Sequence, residues 1–242
     1  MQIIKVKDYE EMSKKASDIL SDKLKGKPEL VLGLATGSTP EGLYKLLIEQ
    51  YKNNEISFKQ AKTFNLDEYV GLDRQDSNSY YYYMNNQLFK HIDIPLEQTN
   101  IPNGIATDSD KECSDYEKLI KEQGGIDIQL LGMGLNGHIG FNEPGTPFTS
   151  RTHVVTLDES TRQANARFFD SLDDVPTNAI TMGIETIMDS KEIVMLVSGE
   201  AKASTLQQVI QGEVTKDVPA TILQRHPNVT IIADEAALSK VR

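Results

Sequence analysis

Leu30-Val31-Leu32-Gly33-Leu34-Ala35, followed at once by Thr36-Gly37-Ser38-Thr39-Pro40, is the stretch whose reading decides the fold. The short apolar run reads as a strand buried on both faces. The polar turn after it leads into a helix from Pro40, with Leu43, Leu47 and Tyr51 at a spacing of four. The same alternation continues in both directions. Upstream, Tyr9, Met12, Ala16, Ile19, Leu20 and Leu24 share one helical face, and Gly26 and Pro28 stop that helix. Downstream, strands are predicted at 63–66, 127–131, 192–197 and 228–232. Helices are predicted at 78–90, at 110–122, near 159–169 and at 200–211. Strand–helix alternation of this kind implies an α/β fold with a mostly parallel sheet covered by helices on both faces. No linker, repeat or low-complexity tract interrupts residues 1–242, so a single catalytic domain is expected. The stretch from about 145 to 175 is polar and weakly patterned, with Pro144, Pro147 and Pro176 around it, and is expected to be a mobile lid over the site.

The bulk properties narrow the function. A net charge of −11 opposes nucleic acid or an anionic membrane as the main partner. It leaves room for a small anionic substrate, provided a local cluster of donors outweighs the distant field. The one cysteine, Cys113, cannot pair within the chain, which fits a reducing cytoplasm. The start lacks the apolar run of a signal peptide, and no apolar run approaches the roughly 20 residues that cross a bilayer. A soluble cytoplasmic protein is expected.

Three segments carry chemistry, and each follows a predicted strand, where ligands collect in an open parallel sheet. In Thr36-Gly37-Ser38-Thr39, free amides and hydroxyls before a helix favour an anion. A well-capped helix start accounts for the same residues. It is neither a dinucleotide fingerprint nor a Walker loop. Asp67 and Glu68 end the second strand. A carboxylate there is a general base if held near an acidic C–H, and a solvated loop pair otherwise. Gly132-Met133-Gly134-Leu135-Asn136-Gly137-His138-Ile139-Gly140-Phe141-Asn142-Glu143-Pro144 surrounds one histidine with four glycines. Imidazole both takes and gives a proton near neutral pH, and Glu143 is spaced to orient it. A structural histidine in a tight loop is the other reading. His91, His153 and His226 show no metal-ligand spacing.

Together these segments resemble the glucosamine-6-phosphate deaminase (glucosamine-6-phosphate isomerase) family. The resemblance runs through Leu34–Pro40, Phe64–Gly71, Asn136–Pro144, Ser160–Phe169 and, more weakly, Ser198–Lys202, essentially end to end. It implies a modified doubly wound, Rossmann-like sheet and a reaction without metal or other cofactor. Glucosamine 6-phosphate and water would become fructose 6-phosphate and ammonia. By the same resemblance Gly37, Ser38, Thr39, Arg167 and Lys202 would hold the phosphate. His138 with Glu143 would open the sugar ring, and Asp67 would move the C2 proton to C1.

Two departures from the family pattern stand out. Many members carry aspartate where Asn136 stands, so Glu143 alone is expected to supply charge behind His138. Longer, allosterically regulated members place basic residues at His153 and Val155, so an activator site and large oligomers are not expected. A monomer or small homo-oligomer is. Two alternatives remain: a 6-phosphogluconolactonase-like hydrolase, which tends to have Ser-Leu-Phe-Pro after its histidine, and a catalytically silent sugar-phosphate sensor. The run Tyr80-Tyr81-Tyr82-Tyr83 reads as helix whose rings face different directions, some to the core and some to water.

Overall fold

The structure, a computed structural model, describes residues 1–242 apart from the side chains of Ser160 and Phe168, two positions of the motif quoted above. Seven strands form one sheet in the order β1-β10-β9-β6-β2-β3-β5. They are β1 (Gln2–Val6), β2 (Val31–Leu34), β3 (Lys62–Asn65), β5 (Thr99–Asn100), β6 (Ile128–Leu131), β9 (Ile193–Val197) and β10 (Val229–Asp234), and every pairing among them is parallel.

Alternation along these strands divides the core in two, because successive side chains point to opposite faces. Leu32 and Leu34 of β2, Leu130 of β6 and Leu196 of β9 face one cluster. It is closed by α1 (Tyr9–Gly26), α2 (Glu41–Lys52) and α3 (Tyr80–Gln87). Val31, Leu131, Met195 and Ile231 face the other, closed by α4 (Ser109–Glu122), α6 (Ile184–Met188) and α7 (Ala203–Gln211). Each fully buried Leu or Ile contributes about 1.5–3 kcal/mol of apolar transfer. Helices therefore cover both faces of a mostly parallel sheet, as the sequence implies.

The sequence does not reveal the second sheet. β4 (Asp67–Tyr69), β8 (Asn178–Thr181) and β7 (His153–Thr156) make a three-stranded antiparallel sheet in the order β4-β8-β7. The segment expected to be a lid thus contributes β7 to a sheet, then forms α5 (Glu159–Asn165) and a 3-10 turn over Ala166–Phe168. Smaller differences are local. Pro40 caps α2 and is not its first helical residue, and the helix expected at 200–211 begins as a 3-10 turn over Glu200–Lys202. The tyrosine run does form a helix, with Tyr82 exposed and the others partly covered.

The connections from β2 run toward β3 and β5, whereas those from β6 run toward β9, β10 and β1. Strand order therefore reverses between β2 and β6, and a crevice opens there at the carboxyl ends.

Candidate active site

A cavity of about 940 Å³ occupies that crevice. Gly37, Ser38, Thr39, Asp67, Asn136, His138, Arg167 and Lys202 all line it. Glu143 stands behind them at 6% exposure. All nine residues singled out in the sequence thus meet at one place.

The Thr36–Thr39 turn is held from behind. Tyr9 and Tyr83 donate their hydroxyls to the carbonyls of Ser38 (2.9 Å) and Gly37 (2.6 Å), which occupies those acceptors. Gly37 has φ +84°, a conformation that suits glycine and turns the chain into α2. Lys202 and Arg167 share the same cavity wall. Burial, with a smaller push from the Arg167 charge, brings the Lys202 ammonium down to about 8. Lys202 donates to the Met133 carbonyl at 2.6 Å, which ties it to the glycine-rich loop. The wall is an electropositive spot in a strongly acidic protein, suited to a phosphate dianion.

Asp67 sits on β4 at 6% exposure. Burial, and then the neighbouring Glu68 charge, pushes its carboxyl up to about 8. Glu68 has a different role. Its carboxylate accepts the backbone N–H groups of Tyr69 (2.8 Å), Tyr80 (2.9 Å) and Tyr81 (2.9 Å), so it ties β4 to the start of α3. Burial outweighs those three bonds and brings Glu68 to about 7.

His138 lies in the glycine-rich loop after β6. A Cβ on Gly134 would stand 2.4–2.5 Å from three atoms of the imidazole, so the ring fits only because that position is glycine. Glu143 Oε2 lies 3.3 Å from His138 Nδ1, an ion-pair distance whose alignment falls short of a hydrogen bond. Asn136 bridges the two. Its Nδ2 donates to Glu143 Oε2 at 2.8 Å, and its Oδ1 accepts the His138 backbone N–H at 3.1 Å. Asn136 therefore orients the carboxylate and the loop without touching the ring. Burial pushes the Glu143 carboxyl up, but the adjacent imidazole, Thr161 and Asn136 together hold it below the usual range. Glu143 is the carboxylate that lies against the His138 ring.

Several lining residues were not singled out in the sequence. Thr161 on α5 donates to Glu143 Oε1. Asn165, one turn on, donates to the Tyr69 hydroxyl at 2.9 Å, and Tyr69 in turn meets Tyr80 at 3.3 Å. Ser198 lines the cavity while its hydroxyl donates to Asp234 at 2.5 Å. His226, by contrast, is buried against the Ser190 carbonyl at 2.8 Å and belongs to the framework. Among the described residues no group of three or more His, Cys, Asp or Glu is arranged to hold a metal ion. No described helix is long and apolar enough to cross a membrane.

A parallel α/β sheet with a buried carboxyl, a carboxylate-backed imidazole and a cationic wall at its switch point defines an enzyme of the acid–base type. The chain belongs to the glucosamine-6-phosphate isomerase/6-phosphogluconolactonase family, whose model matches residues 7–232. It is 59% identical over 239 residues to the glucosamine-6-phosphate deaminase of Shouchella clausii, covering 99% of this chain and 97% of that one. The deaminase of Oceanobacillus iheyensis is 58% identical over 241 residues, covering 100% and 96%. Among solved structures, a monomeric glucosamine-6-phosphate deaminase of the NagB superfamily superposes with a TM-score of 0.97 at 52% identity, covering 99% of this chain and all of that one. The 6-phosphogluconolactonase of Trypanosoma cruzi shares the fold at 21% identity and a TM-score of 0.79, covering 98% of this chain and 96% of that one.

Proposed function

We propose that the chain is a glucosamine-6-phosphate deaminase, converting glucosamine 6-phosphate and water into fructose 6-phosphate and ammonia. One observation carries the reading. A carboxyl of raised proton affinity, Asp67, and a carboxylate-backed imidazole, His138, face one cavity whose wall also holds Lys202 and Arg167. The full-length likeness to deaminases at 58–59% identity supports it.

Lys202, Arg167 and the amides and hydroxyls of Gly37, Ser38 and Thr39 hold the phosphate and so fix the sugar's position. His138 takes the proton from the C1 hydroxyl and delivers it to the ring oxygen as the C1–O5 bond breaks. Glu143, held by Asn136, stabilises the imidazolium between those two transfers. The resulting aldehyde acidifies the C2 hydrogen. Ionised Asp67 removes that proton and returns it to C1, while a second proton passes from the amino nitrogen to the C1 oxygen, which leaves a C1 hydroxyl and an imine at C2. Water adds to C2, the C–N bond breaks and ammonia departs. C1 is reduced as C2 is oxidised, so the redox balance is internal and the chemistry requires no cofactor. A base with a proton affinity near the working pH suits the C2 step, and each positioned acid–base group is worth about 10²–10⁴ in rate.

The chain acts as one catalytic domain over 1–242, with 145–175 as its lid. It works in the cytoplasm as a monomer, without nucleic-acid or membrane partners and without an activator site. The relative described as monomeric supports the assembly, and the net charge of −11 supports the exclusion of polyanions. The test supplies glucosamine 6-phosphate and 6-phosphogluconolactone separately to purified protein. Turnover of the amino sugar, with the lactone slower by at least about a hundredfold in kcat/KM, is the expected result. The reverse preference would make the chain a lactonase, and turnover of neither would make it a sensor.

A further inference from the structure

Among the contacts around the cavity, one joins Glu143 to a helix well separated from it in sequence. Thr161, at 5% exposure, lies 18 residues beyond Glu143 on α5 and donates its hydroxyl to Glu143 Oε1. Asn136 occupies the other oxygen, Oε2, at 2.8 Å, and that same oxygen lies 3.3 Å from His138 Nδ1. The two donors hold one carboxylate oxygen each, in an orientation that presents Oε2 to the imidazole.

We propose that Thr161 is a positioning residue for ring opening: through its hydroxyl it fixes the Glu143 carboxylate that backs His138. The inference rests on the deaminase reading above. Without the hydroxyl, Oε1 would be a buried carboxylate oxygen lacking this donor. Such an oxygen regains a partner only by rotating, and rotation carries Oε2 away from His138. The same helix carries Asn165, which reaches Tyr69 beside Asp67, and Arg167 follows in the next turn on the cavity wall. Seating α5 therefore completes the ring-opening group at the same time as it brings a cation to the phosphate.

The experiment compares Thr161→Val, which keeps the shape and deletes the donor, with Thr161→Ser, which keeps the donor. Two readouts are needed. The first is steady-state turnover of glucosamine 6-phosphate. The valine variant is expected to lose about tenfold to a hundredfold in kcat with KM within about threefold, and serine to stay within about threefold of the parent. The second readout isolates ring opening. In an Asp67→Asn background the C2 step is blocked, while opening and reclosing still interconvert the two anomers. Magnetisation exchange between the anomeric protons measures that rate. Adding Thr161→Val is expected to slow enzyme-catalysed anomerisation by the same factor as kcat, and adding Thr161→Ser to leave it near the Asp67→Asn value. A merely structural threonine would not tie these two rates together.

A folded valine variant with unchanged kcat would overturn the inference, as would a kcat loss with no loss of anomerisation. If the valine variant fails to fold, Thr161→Ala and Thr161→Ser decide by the same two rates. The two readings fail separately. If wild-type protein releases no ammonia and ketose phosphate, the deaminase reading falls and this inference with it. If wild-type protein is active and the valine variant matches it, only the role of Thr161 falls.

Discussion

Asp67 concentrates the tension in the site, because the base proposed for the C2 step must be ionised where burial prefers it neutral. With its carboxyl near 8, the ionised form grows as pH rises toward that value. Lys202, also near 8, loses its charge above it. The profile of kcat/KM, which reports the free enzyme, is therefore expected to rise through pH 7, peak near 8 and fall beyond. A rate-against-pH series with subsaturating substrate checks this; a plateau reaching down to pH 5 would contradict the raised base. The same shift affects stability. The folded protein keeps a proton that the unfolded chain, with a carboxyl near 3.9, gives up, so stability falls as pH rises between about 4 and 8. Asp67→Asn removes that penalty. Its Tm should exceed the parent's by on the order of 5 °C at pH 8, with a smaller gain at pH 5. Equal gains at both would show that the charge is not the cause. His138 and Glu143 stand out in the sequence because the glycine-dense loop around them is unusual, whereas Asp67 is set apart from any other loop carboxylate only by the family resemblance. Thr161 does not stand out, since a threonine opening a helix is ordinary and its partner lies 18 residues away.

The elements carry the site by close approach as much as by direction. The glycine-rich loop after β6 brings its backbone against the His138 ring at Gly134. Gly134→Ala would force the imidazole off its position, and a shift of about 1 Å at a reacting group costs on the order of a hundredfold. A folded variant with kcat reduced by that order, and a Tm within a few degrees of the parent, is the expected outcome of kinetics and thermal melting. Normal kcat would show that the ring does not need this seat. Strands β2, β6, β9 and β10 could be read from the sequence, because strands buried on both faces show as continuous apolar runs. The second sheet could not. Asp67-Glu68-Tyr69 is short and acidic, and His153-Val154-Val155-Thr156 is only half-buried, so neither has the run or the alternation that marks a strand. Two-residue β5 lies below any pattern, and β1 is an edge strand with Ile3 left exposed.

At the scale of the whole molecule, the phosphate site proposed for this acidic protein draws on two cations, Arg167 and Lys202, that line the crevice where the sheet reverses direction. The −11 charge argues against polyanionic partners from the sequence alone, but it could not say where Arg167 and Lys202 would meet. Those two residues are 35 positions apart, and only the fold sets them on one wall. A single self-contained site of this kind is expected to give hyperbolic rate curves from a species near 27.0 kDa. Light scattering and a substrate series check this together. Sigmoidal curves from a larger particle would require communication between sites that the proposed monomer lacks.

The central claim is that one cavity both isomerises and deaminates an amino-sugar phosphate, with Asp67 as the base. The most direct measurement incubates purified protein with glucosamine 6-phosphate in metal-free buffer and quantifies ammonia and fructose 6-phosphate in the same samples. Equal molar yields of the two, with Asp67→Asn lower by at least about a thousandfold while still binding the substrate, is the expected result. Ammonia without the ketose phosphate, or an Asp67→Asn variant of undiminished rate, would contradict the account.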